Sequence, residues 1–305
     1  MTQEPVTTQE LINAFTDESG IPGEQALLIV ARAALVRYLA TTELTAERFV
    51  LKGGTLLHHV YNSPRMSFKD IDLAHSPDPE LNIPKIKELL TVRTDVMTIL
   101  PDQGHWEVDD DIFKGTRVPF TIKARGVGNK GRLTVSVSFR TTEQLDPAPP
   151  ALFYCAMLAG RNRFPVKALS VNELAAEKFL AWTAKRFSKH YADLALIARD
   201  LREQVDRGRV ADLIADKFER ERGYRGYASQ GIRDLPALAA AFRNTNEVTK
   251  ARKAWKSQLS QDLVLSSRET ARDNSVSEFA NVDRIVAEFW QSTVDDLSRR
   301  HTSRH

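Results

Sequence analysis

A single cysteine, Cys155, stands among 305 residues. An intrachain disulfide is therefore excluded, a reducing cytoplasm is the expected compartment, and Cys155 itself reads as a packing residue. Long apolar runs are missing too. The longest, over Gln25–Ala40, is interrupted by Arg32 and Arg37 and reads as a buried helix, not a membrane span. The N-terminus MTQEPVTTQE has neither the basic start nor the apolar core of a secretory signal. Neither sign of charge prevails: 43 Lys and Arg against 40 Asp and Glu give a formal net charge of +3. That balance permits nucleic-acid binding without requiring it, because local clustering matters more than the total. Internal repeats and low-complexity segments are absent. His58 and His59 lack a metal-ligand spacing and read as helix packing.

What is there suits a globular α/β (α+β) chain, with 42% hydrophobic and 27% charged residues. The length suits two domains, which the composition divides into 1–165 and 166–305. The first is organised around Phe49–Leu73. An apolar strand (Phe49, Val50, Leu51) enters a Gly53-Gly54-Thr55 turn and a short apolar helix, and a second strand brings Asp70-Ile71-Asp72. Alternation puts the two aspartates on one face and Ile71 in the core, with the aspartate Cα atoms about 6.5 Å apart. That spacing lets two carboxylates share metal ions. A glycine turn opening a helix offers backbone N–H groups to a phosphate. Alone, each element is common in turns and on surfaces. Together, 15 residues apart from Thr55 to Asp70, they point to a Mg²⁺-dependent reaction on a nucleoside triphosphate.

Around this stretch the chain reads in order. A short helix is expected from Thr8 to Phe15, a longer one from Gly23 to Thr41, and another near Ile86–Leu90. Strong alternation marks strands over Val118–Lys123 and Arg132–Phe139, joined through 126–131. The Pro-rich 146–151 reads as a loop, with the domain boundary between it and Ser170. Ser170 and Glu173 form a capping box opening a helix over 171–186. Further helices are expected at Tyr191–Glu203, Val210–Arg220, Pro236–Arg243, Asn246–Ser260 and Asn281–Leu297, with a loop over 263–277.

A second constellation lies on the capped helix and its successor. Lys178 sits between Ala175-Ala176 and Phe179-Leu180, where a buried lysine needs an anionic partner. Lys185, Arg186 and Lys189 follow, a basic group that is the better candidate for contacting nucleic acid. The stretch RERGYRGY, with Arg220, Arg222, Tyr224, Arg225 and Tyr227, is of the kind that stacks bases, although an exposed loop is the preferred reading. Arg252, Lys253 and Lys256 are a similar basic group, and Trp255 at helical spacing from Leu259 reads as core.

FVLKGGTLLHHVY, SFKDIDL and SVNELAAEKFLAWTAKRFSKHYADLALIA together resemble the AbiEii/AbiGii nucleotidyltransferase toxins. The likeness spans most of residues 45–290 and includes Trp255 and Leu259. It implies a polymerase-β-like nucleotidyltransferase domain with a mixed sheet, followed by an all-helical domain, with the site in the cleft between them. It places the phosphate-binding turn on Gly53, Gly54 and Thr55 beside Lys52, and the metal-binding carboxylates on Asp70 and Asp72. The triphosphate lysine falls on Lys178 and a late essential aspartate on Asp193. Where polymerase-like enzymes carry a third metal carboxylate, Thr134–Phe139 carries Thr and Ser. The activity implied is transfer of a nucleotide from an NTP to an acceptor, in characterised relatives the tRNA 3′ end. The implied partners are that RNA and a cognate antitoxin, for which a winged-helix regulator is the candidate. Transfer to a protein hydroxyl and non-catalytic NTP binding remain alternatives.

Overall fold

The computed structural model describes residues 13, 23–61, 63, 70–75, 85, 88–89, 92–93, 97–101, 107–109, 115–124, 132–141, 146, 148–154, 163–221, 223–251, 253 and 275–300. The expected helix at Thr8–Phe15, the 126–131 connection, Arg222, and the Arg252, Trp255 and Lys256 group lie outside them.

Helix α1 (Gly23–Thr41) spans the residues the sequence indicates. Ala26, Ile29, Ala33, Leu35, Val36 and Leu39 are all buried, so it serves as a core helix and not as an amphipathic surface one. The short α2 (Glu43–Ala46) turns the chain into β1 (Val50–Lys52), α3 (Gly53–His59) and β2 (Asp70–His75). Further strands are β3 (Val92–Arg93), β4 (Met97–Pro101), β5 (Glu107–Asp109), β6 (Gly115–Ala124) and β7 (Arg132–Thr141). The sheet order is β1-β2-β7-β6-β4-β3, with β5 pairing with β6. Among the described strands of this sheet, β2 and β7 run parallel and the remaining pairs are antiparallel, so the sheet is mixed as expected.

The Pro-rich stretch leads into something the sequence did not disclose. The described residues 146 and 148–150 are loop as expected, and a two-stranded antiparallel sheet, β8 (Ala151–Tyr154) and β9 (Arg163–Val166), follows before Ser170. Four-residue strands after a proline run carry too little alternation to register. Phe153 fills the gap behind α3, stacked on His59 with ring centroids 4.3 Å apart. His59 also bonds through Nδ1 to the Tyr154 carbonyl at 2.8 Å. Burial drives its pKa well below the usual histidine value, and His58 adds to that. The histidine pair is thus packing, not metal ligation.

Immediately after β9, the backbone of Leu51 closes onto the chain leading to the helical half. Leu51 N donates to the Lys167 carbonyl at 2.8 Å, and Leu169 N donates to the Leu51 carbonyl at 3.1 Å. This fastening sets the glycine turn beside helix α4 (Val171–Lys185). The Ser170 side chain accepts from Glu173 N at 3.0 Å, as the capping box requires. The Glu173 carboxylate does not complete the box; its Oε2 accepts from Asp146 N at 3.1 Å.

Helices α5 (Ser188–Asp200), α6 (Arg207–Arg220), α7 (Arg225–Ser229), α8 (Leu235–Phe242) and α9 (Ser275–Arg299) surround α4. A 3-10 turn at Arg202–Gln204 follows α5, and residues 245–251 are also helical. Several helices begin earlier than their hydrophobic pattern shows, because a polar first turn is invisible to periodicity. In α9 the helix already includes Ser275–Ser277, which corrects the loop expected through 277. Phe179 stacks on Phe242 at 4.1 Å, and Trp182 meets Tyr191 at 4.7 Å. Trp290 Nε1 donates to the Leu194 carbonyl at 3.4 Å, fastening α9 to α5. Tyr227 is core, 1% exposed and packed on Phe218, which corrects its reading as a base-stacking candidate. No helix among the described residues is long and apolar enough to cross a membrane.

Candidate active site

The glycine turn and the aspartate strand meet as their spacing implies. Lys52 and Asp72 are Cα partners in the β1–β2 pair. Ile71 and Leu73, at 0% and 2% exposure, occupy the core side of β2. Asp72 projects instead onto the turn. Gly53 has φ +70, and a Cβ built on it would lie 2.1 Å from Asp72 Oδ2. Two independent reasons therefore require glycine here: the left-handed backbone and the carboxylate occupying the side-chain position. Gly53→Ala is expected to displace the Asp72 carboxylate and lower nucleotide transfer about a hundredfold, since a 1 Å misplacement has that effect. Steady-state assay of the folded variant checks it.

Asp70 begins the same strand, two positions before Asp72. The parallel register pairs Asp70 with Ser136 and Asp72 with Ser138. Serine therefore stands beside each aspartate, where a third carboxylate was the polymerase-like expectation. Gly54 and Thr55 are buried at the start of α3.

From the helical half come two lysine–carboxylate groups. Lys178 Nζ and Asp193 Oδ2 are 2.7 Å apart, their side chains only 8% and 1% exposed. Two residues 15 positions apart in sequence are thereby joined across α4 and α5. The anionic partner that burial of Lys178 demands is Asp193. Lys52 is likewise engaged: its Nζ reaches both carboxylate oxygens of Glu177 at 3.0 Å. Lys217, on α6, meets Glu173 at 2.7 Å and Glu177 at 3.5 Å. A buried charge chain, Lys52–Glu177–Lys217–Glu173, thus runs from the first sheet into the helical half.

Glu173, Glu177 and Lys217 were not singled out as a set from sequence. One signal was available. Lys217 falls on the apolar stripe of α6 with Val210, Leu213 and Ile214, and a lysine in that stripe must carry its own counter-charge.

Glu221 completes the cluster with a different electrostatic fate. Burial, then the Glu177 carboxylate, push its pKa from 4.5 to about 7, against the pull of Lys217, Lys52 and a hydrogen bond from Tyr227. The folded protein thus holds this proton up to about pH 7, whereas the unfolded chain releases it near 4.5. Stability accordingly falls as pH rises from about 4.5 to 7 and levels above that. Glu221→Gln is expected to match the wild type at pH 4.5 and exceed it at pH 8 by on the order of 2 kcal/mol. Urea denaturation at the two pH values checks this.

A mixed sheet carrying a glycine turn against a strand aspartate, with a lysine–aspartate pair on helices behind, is the layout of a nucleotidyltransferase. Within that class the chain belongs to the nucleotidyl transferase AbiEii toxin family of type IV toxin–antitoxin systems, whose family model matches residues 34–282. In structure it is similar to MenT4, a nucleotidyltransferase toxin from Mycobacterium tuberculosis H37Rv. That likeness has a TM-score of 0.59 at 19% identity and covers 96% of this chain and 98% of that one. It is also similar to JHP933 from Helicobacter pylori, with a TM-score of 0.50 at 13% identity, covering 93% and 97% of the two chains. At these identities the likeness concerns the fold. No curated protein matches the chain.

Proposed function

We propose that this toxin-family nucleotidyltransferase uses Mg²⁺ to transfer a nucleotide from an NTP to the 3′ end of a tRNA in the cytoplasm. The single observation that carries the reading is the Asp72 carboxylate seated against Gly53. A phosphate approaching that turn meets backbone and a metal-binding group at once.

The residues present suit Mg²⁺. The ion is ordinarily held by one or two carboxylates together with substrate phosphates, not by a complete protein cage. Among the described residues no group of three or more His, Cys, Asp and Glu would hold a metal unaided, in keeping with a site that substrate oxygens complete. Asp70 and Asp72 would hold the ion, which supplies charge neutralisation on the triphosphate when bound.

The remaining work falls to the chain's own groups. Gly53, Gly54 and Thr55 bind phosphate, and Lys52 adds charge beside them. Lys178 neutralises the triphosphate. Its ammonium has three donors and Asp193 takes one, so others remain for phosphate oxygens. Asp193, buried and committed to that ammonium, orients Lys178 toward the reacting end. The acceptor hydroxyl forms a bond to the α-phosphorus, the α–β bond breaks, pyrophosphate leaves, and the hydroxyl proton passes to solvent. Positioning and charge stabilisation supply the rate.

Lys185, Arg186 and Lys189 support an RNA acceptor by their charge. A cognate antitoxin, with a winged-helix regulator as the candidate, would restrain the activity. Incubating the protein with each labelled NTP, bulk tRNA and total protein tests the reading. Label in RNA supports it, and label in protein moves the acceptor to a side-chain hydroxyl. Nucleotide binding without transfer marks a non-catalytic protein.

A further inference from the structure

The turn between α4 and α5 leaves an aromatic ring on the surface. Phe187 is 49% exposed, although burying a phenylalanine ring is favourable. One exposed apolar residue is ordinary on any protein surface. What surrounds this one is not.

Lys189 Nζ lies 5.7 Å from the Phe187 ring centroid. Arg186, immediately before, adopts the left-handed conformation at φ 58 and lays its guanidinium over Trp182 at 5.3 Å. Two of its buried nitrogens, Nε and Nη1, find no hydrogen-bond partner among the described residues. Burial of such donors is costly until an acceptor reaches them. On the other side, His190 lies 6.0 Å from Phe187, ring to ring, and its buried Nδ1 also finds no partner there. Burial, and then the charge of Lys178, hold the His190 pKa well below its ordinary value. Between Glu177 and Asp193 the sequence contains no acidic residue, while it contains Lys178, Lys185, Arg186 and Lys189.

Position adds the remaining argument. Asp193 follows Phe187 by six residues on α5, a rise of about 9 Å, and Asp193 is bound to Lys178. An exposed ring, a cation over it and orphaned guanidinium donors therefore stand one short step from the pair assigned to the triphosphate. Single-stranded nucleic acid is held by such a combination of stacking face and phosphate-directed charge.

We infer that Phe187 is a stacking platform for a base of the acceptor RNA's single-stranded 3′ end, with Lys189 directed at the adjoining phosphate and Arg186 bracing the turn from beneath on Trp182. This rests on the RNA-acceptor reading above and adds the surface that holds the acceptor.

The test compares wild type, Phe187→Ala and Phe187→Trp. The probe is a labelled stem-loop RNA with a single-stranded 3′ end, followed by fluorescence anisotropy without NTP and by steady-state transfer. Phe187→Ala is expected to weaken RNA binding roughly tenfold and to raise KM for RNA without raising KM for NTP. Phe187→Trp is expected to restore binding, which a merely structural role would not produce. Wild-type binding by Phe187→Ala, with RNA still labelled, overturns the platform and leaves the RNA reading standing. Label in protein and none in RNA removes both.

Discussion

Asp72→Ala is expected to lose about 10³-fold or more of nucleotide incorporation, because one of the two strand carboxylates proposed to hold Mg²⁺ disappears. The same substitution leaves the fold largely intact. Asp72 contributes no core packing, since its neighbours Ile71 and Leu73 occupy the buried side of β2. A large activity loss without a matching loss of stability separates a metal-binding role from a structural one. Thermal unfolding and transfer assays on the same preparation read both quantities. Asp72→Asn refines the result, because an amide keeps the shape but lacks the charge for Mg²⁺, and it is expected to be nearly as inactive.

Lys178→Met is expected to lose both stability and activity, and the two losses separate in a double substitution. With Lys178 gone, Asp193 is left as a buried carboxylate with 1% side-chain exposure. Breaking one partner from such a pair costs about 3–5 kcal/mol. Lys178→Met combined with Asp193→Leu removes both charges, so most of the stability is expected to return. Transfer activity is not, because the lysine proposed to neutralise the triphosphate is still absent. Chemical denaturation of the two single variants and the double variant measures the coupling. Recovery of activity along with stability would show that the pair only holds α4 against α5.

The first half of the site was legible because it is local. One turn, one short helix and one strand carry Gly53, Gly54, Thr55, Asp70 and Asp72 within a single stretch, and alternation alone placed Ile71 inward. Helix α4 was legible through its cap, since Ser170 holds Glu173 N as the motif requires. The long-range pairings were harder. A lysine between Ala176 and Phe179 announces that it needs a counter-charge, but not which carboxylate answers. Asp193 was named only through the family likeness, and the structure joins it to Lys178. Lys52 and Glu177, 125 residues apart, gave no local sign of meeting. Composition misled at RERGYRGY. Its arginines and glycines look like an exposed loop, yet Tyr227 lies under Phe218 with its hydroxyl on Glu221 at 3.3 Å. Phe187, between Arg186 and Ser188, gave no sign of its own in the sequence, and the turn it occupies exposes it.

The Gly53–Asp72 contact and the Lys178–Asp193 pair are proposed to form one centre for nucleotide transfer. Simultaneous measurement of pyrophosphate release and of nucleotide incorporated at a tRNA 3′ end tests this most directly. The wild type with NTP and Mg²⁺ is expected to release one pyrophosphate for each nucleotide added, and Asp72→Ala and Lys178→Met are expected to do neither. Incorporation that persists in either variant, or triphosphate breakdown with no nucleotide added to RNA, would contradict it.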